Sequence, residues 1–106
     1  MLSPKDKIYI QSEYDIDQKI KKGFIPVCFE TKDKNLKFMI PADLTFVQVM
    51  IFIQKKLKTT DQTALIPIVG DHVIPMNSEI LIVLYEKHKN VDNILRIKLI
   101  QENAFG

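Results

Sequence analysis

The sequence predicts a single α+β domain. Three features carry that prediction: a strand–turn–strand pair over residues 25–40, a strongly patterned helix after it, and an alternating strand over residues 94–100 of the 106-residue chain. The chain is close to the commonest domain size and shows no repeat, linker or low-complexity segment.

The elements follow in order. Ile16 and Ile20 stand one helical turn apart with charges between them, which predicts a short amphipathic helix over about 12–22 in an N-terminal helical region, 1–23. Ser12 or Asp15 can cap it, and Gly23 stops it. Ile25-Pro26-Val27-Cys28-Phe29-Glu30 reads as a strand, with Val27 and Phe29 on one face and Pro26 and Cys28 on the other. A polar turn over 31–36 leads to Lys37-Phe38-Met39-Ile40, closed by Pro41, and the pair is most simply an antiparallel hairpin. Asp43 or Thr45 caps the strongest helix, about 45–58. Phe46, Val49, Met50, Ile53 and Leu57 form one core stripe, and Val47, Ile51 and Phe52 lie beyond it. This helix is therefore either deeply covered or lines a groove. Residues 64–69 form a strand interrupted by Pro67, which places it at an edge or a bulge. Gly70-Asp71-His72 is a turn and Val73-Ile74-Pro75 a short return strand. Residues 78–88 read as a second helix, with Ser78 as cap and Ile80, Leu81, Leu84 and Tyr85 facing inward. In the last strand Leu95, Ile97 and Leu99 alternate with Ile94, Arg96 and Lys98, and 101–106 is a polar tail.

That order is the order of a ubiquitin-like β-grasp: a four-stranded mixed sheet with two core helices, here with an additional N-terminal helical segment. The domain plan is one unit over 1–106, with its β-grasp core at 24–100 and its tail at 101–106.

Composition narrows the function. Fifteen basic residues against thirteen acidic ones give a net charge of +2, too balanced for nucleic-acid binding. Fourteen of the fifteen are Lys, which disfavours bidentate phosphate recognition. The longest apolar stretch, 44–53, is far short of the roughly 20 residues of a membrane span. No signal-peptide core precedes residue 7, and one cysteine fits a reducing, cytoplasmic setting. Cys28 lies among apolar strand residues, where a thiol is usually a small hydrophobe rather than a nucleophile. One Cys and two dispersed His do not supply a metal site, and no glycine-rich phosphate loop is present. The sequence argues against an enzyme and requires no cofactor or metal. The tail ends in Gly106, which lacks a Cβ and offers an unhindered carboxylate to a narrow active site. A ragged terminus is the alternative reading of the same residues.

Several separated segments resemble the family of autophagy-related protein eight, which includes the GABA-receptor-associated protein and the microtubule-associated light chains. They are Phe24-Ile25-Pro26-Val27, Ile40-Pro41-Ala42-Asp43-Leu44-Thr45, Gln54-Lys55-Lys56-Leu57, Leu84-Tyr85-Glu86-Lys87-His88 and Glu102-Asn103-Ala104-Phe105-Gly106. The likeness runs from about Ile20 to Gly106. This sequence departs from the pattern at Phe24, where the family usually has a basic residue, in a shorter first turn, in one extra residue at 70–72, and at Pro67.

The resemblance implies a ubiquitin-like autophagy modifier. Gly106 would be activated by ubiquitin-type activating and conjugating enzymes and joined to phosphatidylethanolamine on autophagosomal membranes. The protein would then be cytoplasmic, and bound to the autophagosome membrane through its covalent lipid when conjugated. A processing or deconjugating cysteine protease is a further implied partner, although an end at Gly106 leaves nothing to trim before first activation. Receptors and adaptors bearing an aromatic-x-x-aliphatic motif would add a strand to the free edge of the 37–40 strand. By resemblance Ile20, Pro26, Lys37, Met39 and Ile94 form the aromatic-accepting pocket. Phe38, Ile40, Pro41, Leu44, Val49, Phe52, Ile53 and Lys56 form the aliphatic-accepting pocket. Period two independently puts Met39 and Pro26 on one face of the hairpin and Phe38 and Ile40 on the other, beside the long helix. Two alternatives are a ubiquitin-like modifier joined to protein lysine and a non-conjugated ubiquitin-like adaptor.

Overall fold

A computed structural model describes residues 9–10, 23–58 and 63–103. In chain order the elements are β1 (Tyr9–Ile10), β2 (Phe24–Glu30), β3 (Asn35–Pro41), α1 (Phe46–Leu57), β4 (Thr63–Val69), α2 (Leu81–His88) and β5 (Leu95–Asn103). The helix expected over 12–22 lies outside the described residues. Four long strands form a mixed sheet crossed by two helices, the expected β-grasp. The two-residue β1 is added at one edge, so the full order is β1-β3-β2-β5-β4.

The hairpin β2–β3 is antiparallel, with Pro26 opposite Met39 and Val27 opposite Phe38. A four-residue turn closes it. The Thr31 hydroxyl donates to the Lys34 carbonyl at 2.6 Å, and the Lys34 N–H donates back to that hydroxyl at 3.0 Å. β5 runs parallel to β2, pairing Val27 with Leu95, and antiparallel to β4. Pro67 keeps register opposite Leu99 in β4, and β4 is the outer strand, as a missing ladder donor requires.

Period two sorts the strands as expected. Ile25, Val27, Phe29, Phe38, Ile40, Leu95, Ile97 and Leu99 enter one core with Phe46, Val49, Met50 and Ile53 of α1 and Leu81, Leu84 and Tyr85 of α2. Every polar or charged side chain among the described residues stays out of that interior. Cys28 and Met39 are also buried, outside this core cluster.

Thr45 is the cap of α1, not Asp43. Its side chain accepts from the Gln48 N–H, and the Gln48 side chain accepts from the Thr45 N–H at 2.9 Å, a complete capping box. Ser78 does not cap α2. The helix starts three residues later with Ile80 in the cap position and no side-chain cap bond. The cause is tertiary: the Leu81 and Ile82 N–H groups donate to the Leu44 and Ala42 carbonyls at 2.8 and 3.0 Å. Reciprocally, the Phe46 and Val47 N–H groups of α1 donate to the Glu79 and Asn77 carbonyls at 2.7 and 3.1 Å. Two helix starts thus satisfy each other's orphan donors through their leading loops.

Three further expectations need correction. Residues 73–75 do not form a strand; Val73 makes a bridge to Val69 across a three-residue turn. Gly70 opens that turn at φ +59, where a Cβ would stand 3.4 Å from His88 Nδ1. β5 continues to Asn103, because Gln101 to Asn103 keep pairing with β4, so the tail's first three residues are strand. Tyr9–Ile10 is strand inside a region read as helical, since its partner on β3 decides its conformation.

Candidate functional site

The residues expected to line the aliphatic-accepting pocket meet where β3 packs on α1. Phe38 projects from β3 onto α1 and meets Phe52 edge to face, with centroids 5.0 Å apart and planes at 85°. That geometry sets the positive ring edge against the negative ring face. Lys56 Nζ sits 5.6 Å from the Phe52 centroid on the outer side, a cation–π contact one helical turn along. Phe29 meets Phe38 from behind at 6.3 Å. A line of rings therefore runs from the core to the surface and ends under a lysine.

The aliphatic set divides by depth. Ile40, Val49 and Ile53 have no exposed surface and belong to the core in this structure. Phe38 is nearly buried at 6% exposure, and Pro41 is buried. Leu44 and Phe52 are half-buried and pack against that core, and Lys56 is exposed. The surplus apolar face of α1 also divides: Phe52 turns to the β3 side, while Val47 and Ile51 are exposed. Leu44 is held from both sides, its N–H donating to the Pro41 carbonyl at 3.4 Å and its carbonyl accepting from Leu81.

The aromatic set is assembled in part. Met39 and Pro26 face each other across the hairpin and are both buried. Ile94 is half-buried, one position before Leu95 joins β2. The Tyr85 hydroxyl donates to the Asn93 carbonyl at 2.9 Å, and the Ile94 N–H donates to Asp92 Oδ1 at 3.2 Å, which together fix the approach to β5. Lys37 is exposed on β3. Ile20 and Gly106 lie outside the described residues.

The edge of β3 is not free. β1 pairs with it antiparallel, Tyr9 opposite Met39 and Ile10 opposite Phe38. Two residues are too few for a period to show in a sequence, which is why reading the chain alone misses this strand.

Cys28 is buried at 1% exposure beside Arg96 in the parallel register. Burial pushes its thiol above the ordinary range, against an opposing pull from the Arg96 charge, so the thiolate a nucleophile needs is disfavoured. His88 closes α2 beside Gly70, and His72 is exposed in the 70–72 turn. Among the described residues no group of three His, Cys, Asp or Glu is arranged to hold a metal. No described helix is long and apolar enough to cross a membrane.

Comparison with known proteins agrees with this architecture. The family described as "Autophagy protein Atg8 ubiquitin like" matches residues 11–106. Autophagy-related protein 8 of Schizosaccharomyces pombe is 30% identical over 112 residues, covering 96% of this chain and 92% of the relative. Autophagy-related protein 8 of Neosartorya fischeri is 36% identical over 91 residues, covering 86% of this chain and 72% of the relative. The crystal structure of Trypanosoma brucei ATG8 superposes with a TM-score of 0.67 at 21% identity, covering 89% of this chain and 94% of that one, and this supports the fold. The family match over nearly the whole chain, with relatives matched along most of their length, makes this chain a member of the Atg8 family of ubiquitin-like autophagy proteins.

Proposed function

We propose that this protein is a membrane-conjugated autophagy modifier, joined through Gly106 to phosphatidylethanolamine, that recruits partners bearing aromatic-x-x-aliphatic motifs. The observation that carries the reading is the Phe38–Phe52–Lys56 arrangement beside the β3 edge in a member of the Atg8 family. A motif peptide adding to β3 gains main-chain bonds along the strand. Its aliphatic anchor enters between Leu44 and Phe52, over Phe38 and Pro41, with Ile40, Val49 and Ile53 as the rigid core behind. Its aromatic anchor enters on the Met39, Pro26 and Ile94 side, with Lys37 at the rim. Lys37 and Lys56 meet acidic flanking residues, each exposed pair contributing about 0.2–1 kcal/mol, so the apolar anchors dominate.

In this reading the chain is a substrate and a scaffold, not a catalyst. Activating and conjugating enzymes of the ubiquitin type act on Gly106, and a cysteine protease deconjugates it. The protein moves between the cytoplasm and the autophagosome membrane through its covalent lipid. Conjugation to protein lysine is the second reading; the docking groove favours the first, because a scaffold displayed on a membrane needs a surface that recruits partners.

The test is the intact mass of the endogenous protein from membrane and soluble fractions of starved cells. A phospholipid-sized increment on Gly106 in the membrane fraction, absent in Gly106→Ala, is the expected result. An unmodified mass in both fractions overturns lipidation, and a branched peptide adduct supports the lysine-conjugated reading.

A further inference from the structure

We infer that β1 is a built-in occupant of the motif-docking edge, and that a partner motif binds by displacing it. This rests on the docking reading above and adds a regulatory step to the same site. The observation is the register: Tyr9 lies opposite Met39 and Ile10 opposite Phe38. Met39 belongs to the aromatic-side set and Phe38 to the aliphatic-side set, so β1 pairs with β3 at the point between the two. An incoming strand needs the same backbone groups, and one edge cannot hold two strands.

The arrangement suits a gate rather than a permanent cover. An exposed edge invites pairing with any extended chain, and native sheets protect such edges with short strands. Among the described residues β1 pairs with β3 at two positions, and each backbone hydrogen bond is worth little net of those to water. A motif peptide brings a longer run of main-chain bonds than two strand positions supply, together with two side-chain anchors. Extended segments without anchors are therefore excluded, and true motifs open the edge. The apparent affinity for a motif is lowered by the fraction of molecules in which β1 is closed.

The test uses the full chain and a synthetic acidic-flanked peptide with a Trp-x-x-Leu core. The double variant Tyr9→Pro/Ile10→Pro removes both backbone N–H groups of β1, including the one that faces β3 in the antiparallel ladder. The expected result is peptide binding about threefold to thirtyfold tighter than wild type, the range set by two weak pairings. Equal affinity, with wild type binding well, overturns the gate and leaves the docking reading intact. No binding by either protein overturns the docking reading, and the gate with it. A second measurement needs no variant. As wild type is titrated, the backbone amide signals of Tyr9 and Ile10 should move to unpaired positions in step with the Phe52 signals. Tyr9 and Ile10 signals that keep their paired positions while those of Phe52 saturate overturn the gate.

Discussion

Phe52 and Ile53 are neighbours on α1 with opposite fates. Ile53 is fully buried in the core, whereas Phe52 is half-buried against Phe38 and under Lys56. Phe52→Ala should weaken the motif peptide about tenfold or more while circular dichroism stays native, because a packed aromatic at a contact centre carries much of the affinity. Ile53→Ala should cost about 2–5 kcal/mol in chemical denaturation, the range for truncating a buried aliphatic side chain. Unfolding of Phe52→Ala would assign Phe52 to the core instead. Cys28 gives a pH prediction with a definite sign. Its thiol is raised in the folded state by burial, so the unfolded chain ionises first as pH rises. The unfolded state then holds fewer protons, and stability falls above the ordinary thiol range by up to about 1.4 kcal/mol per pH unit. Denaturation series from pH 7 to 10 should show this slope in wild type and a shallower one in Cys28→Ala.

At the scale of elements, α1 is delimited by two local devices with opposite margins. The Thr45–Gln48 capping box is complete, so Thr45→Ala should cost about 1 kcal/mol, read from the denaturation midpoint. Lys58 ends the helix at φ 53, a left-handed conformation that glycine adopts more readily. Lys58→Gly should therefore stabilise by up to about 1 kcal/mol in the same assay, and a loss of stability would mean that the Lys58 side chain matters more than its backbone. Elements with a long signal were legible in the sequence: the 46–57 stripe, the β2–β3 hairpin, and Pro67 as the mark of an edge strand. Ser78 misled because a cap is a local signal. Here the Leu81 and Ile82 donors are taken by carbonyls of the Ala42–Leu44 segment, which no local pattern encodes. The reach of β5 to Asn103 was hidden for a similar reason, since polar residues on an outer pairing look like tail until their β4 partners are known. Of the candidate site, period two alone placed Phe38 and Met39 on opposite faces. It could not tell Leu44 and Phe52, half open, from Val49 and Ile53, closed, because depth along a helix face depends on what is packed against it.

For the whole molecule, the element order was enough to indicate the β-grasp, and the structure adds how its parts are joined. The centre of the sheet is the parallel pair β2–β5, where Val27 meets Leu95, 68 positions later in the chain. The other described strands lie on either side of that seam: β3 and β1 on one flank, β4 on the other. Such distant pairing is slow to form because the intervening chain must close first. Its consequence is felt during synthesis. While the ribosome is still making α2, the hairpin is already outside, yet Val27 and Phe29 have only β3 beside them and the β5-facing edge of β2 is open. The sheet cannot close until residues 95–99 emerge. From the emergence of the hairpin until β5 follows, the newborn chain is therefore an incomplete half with an open β2 edge, and that interval is when a chaperone would find the most to hold.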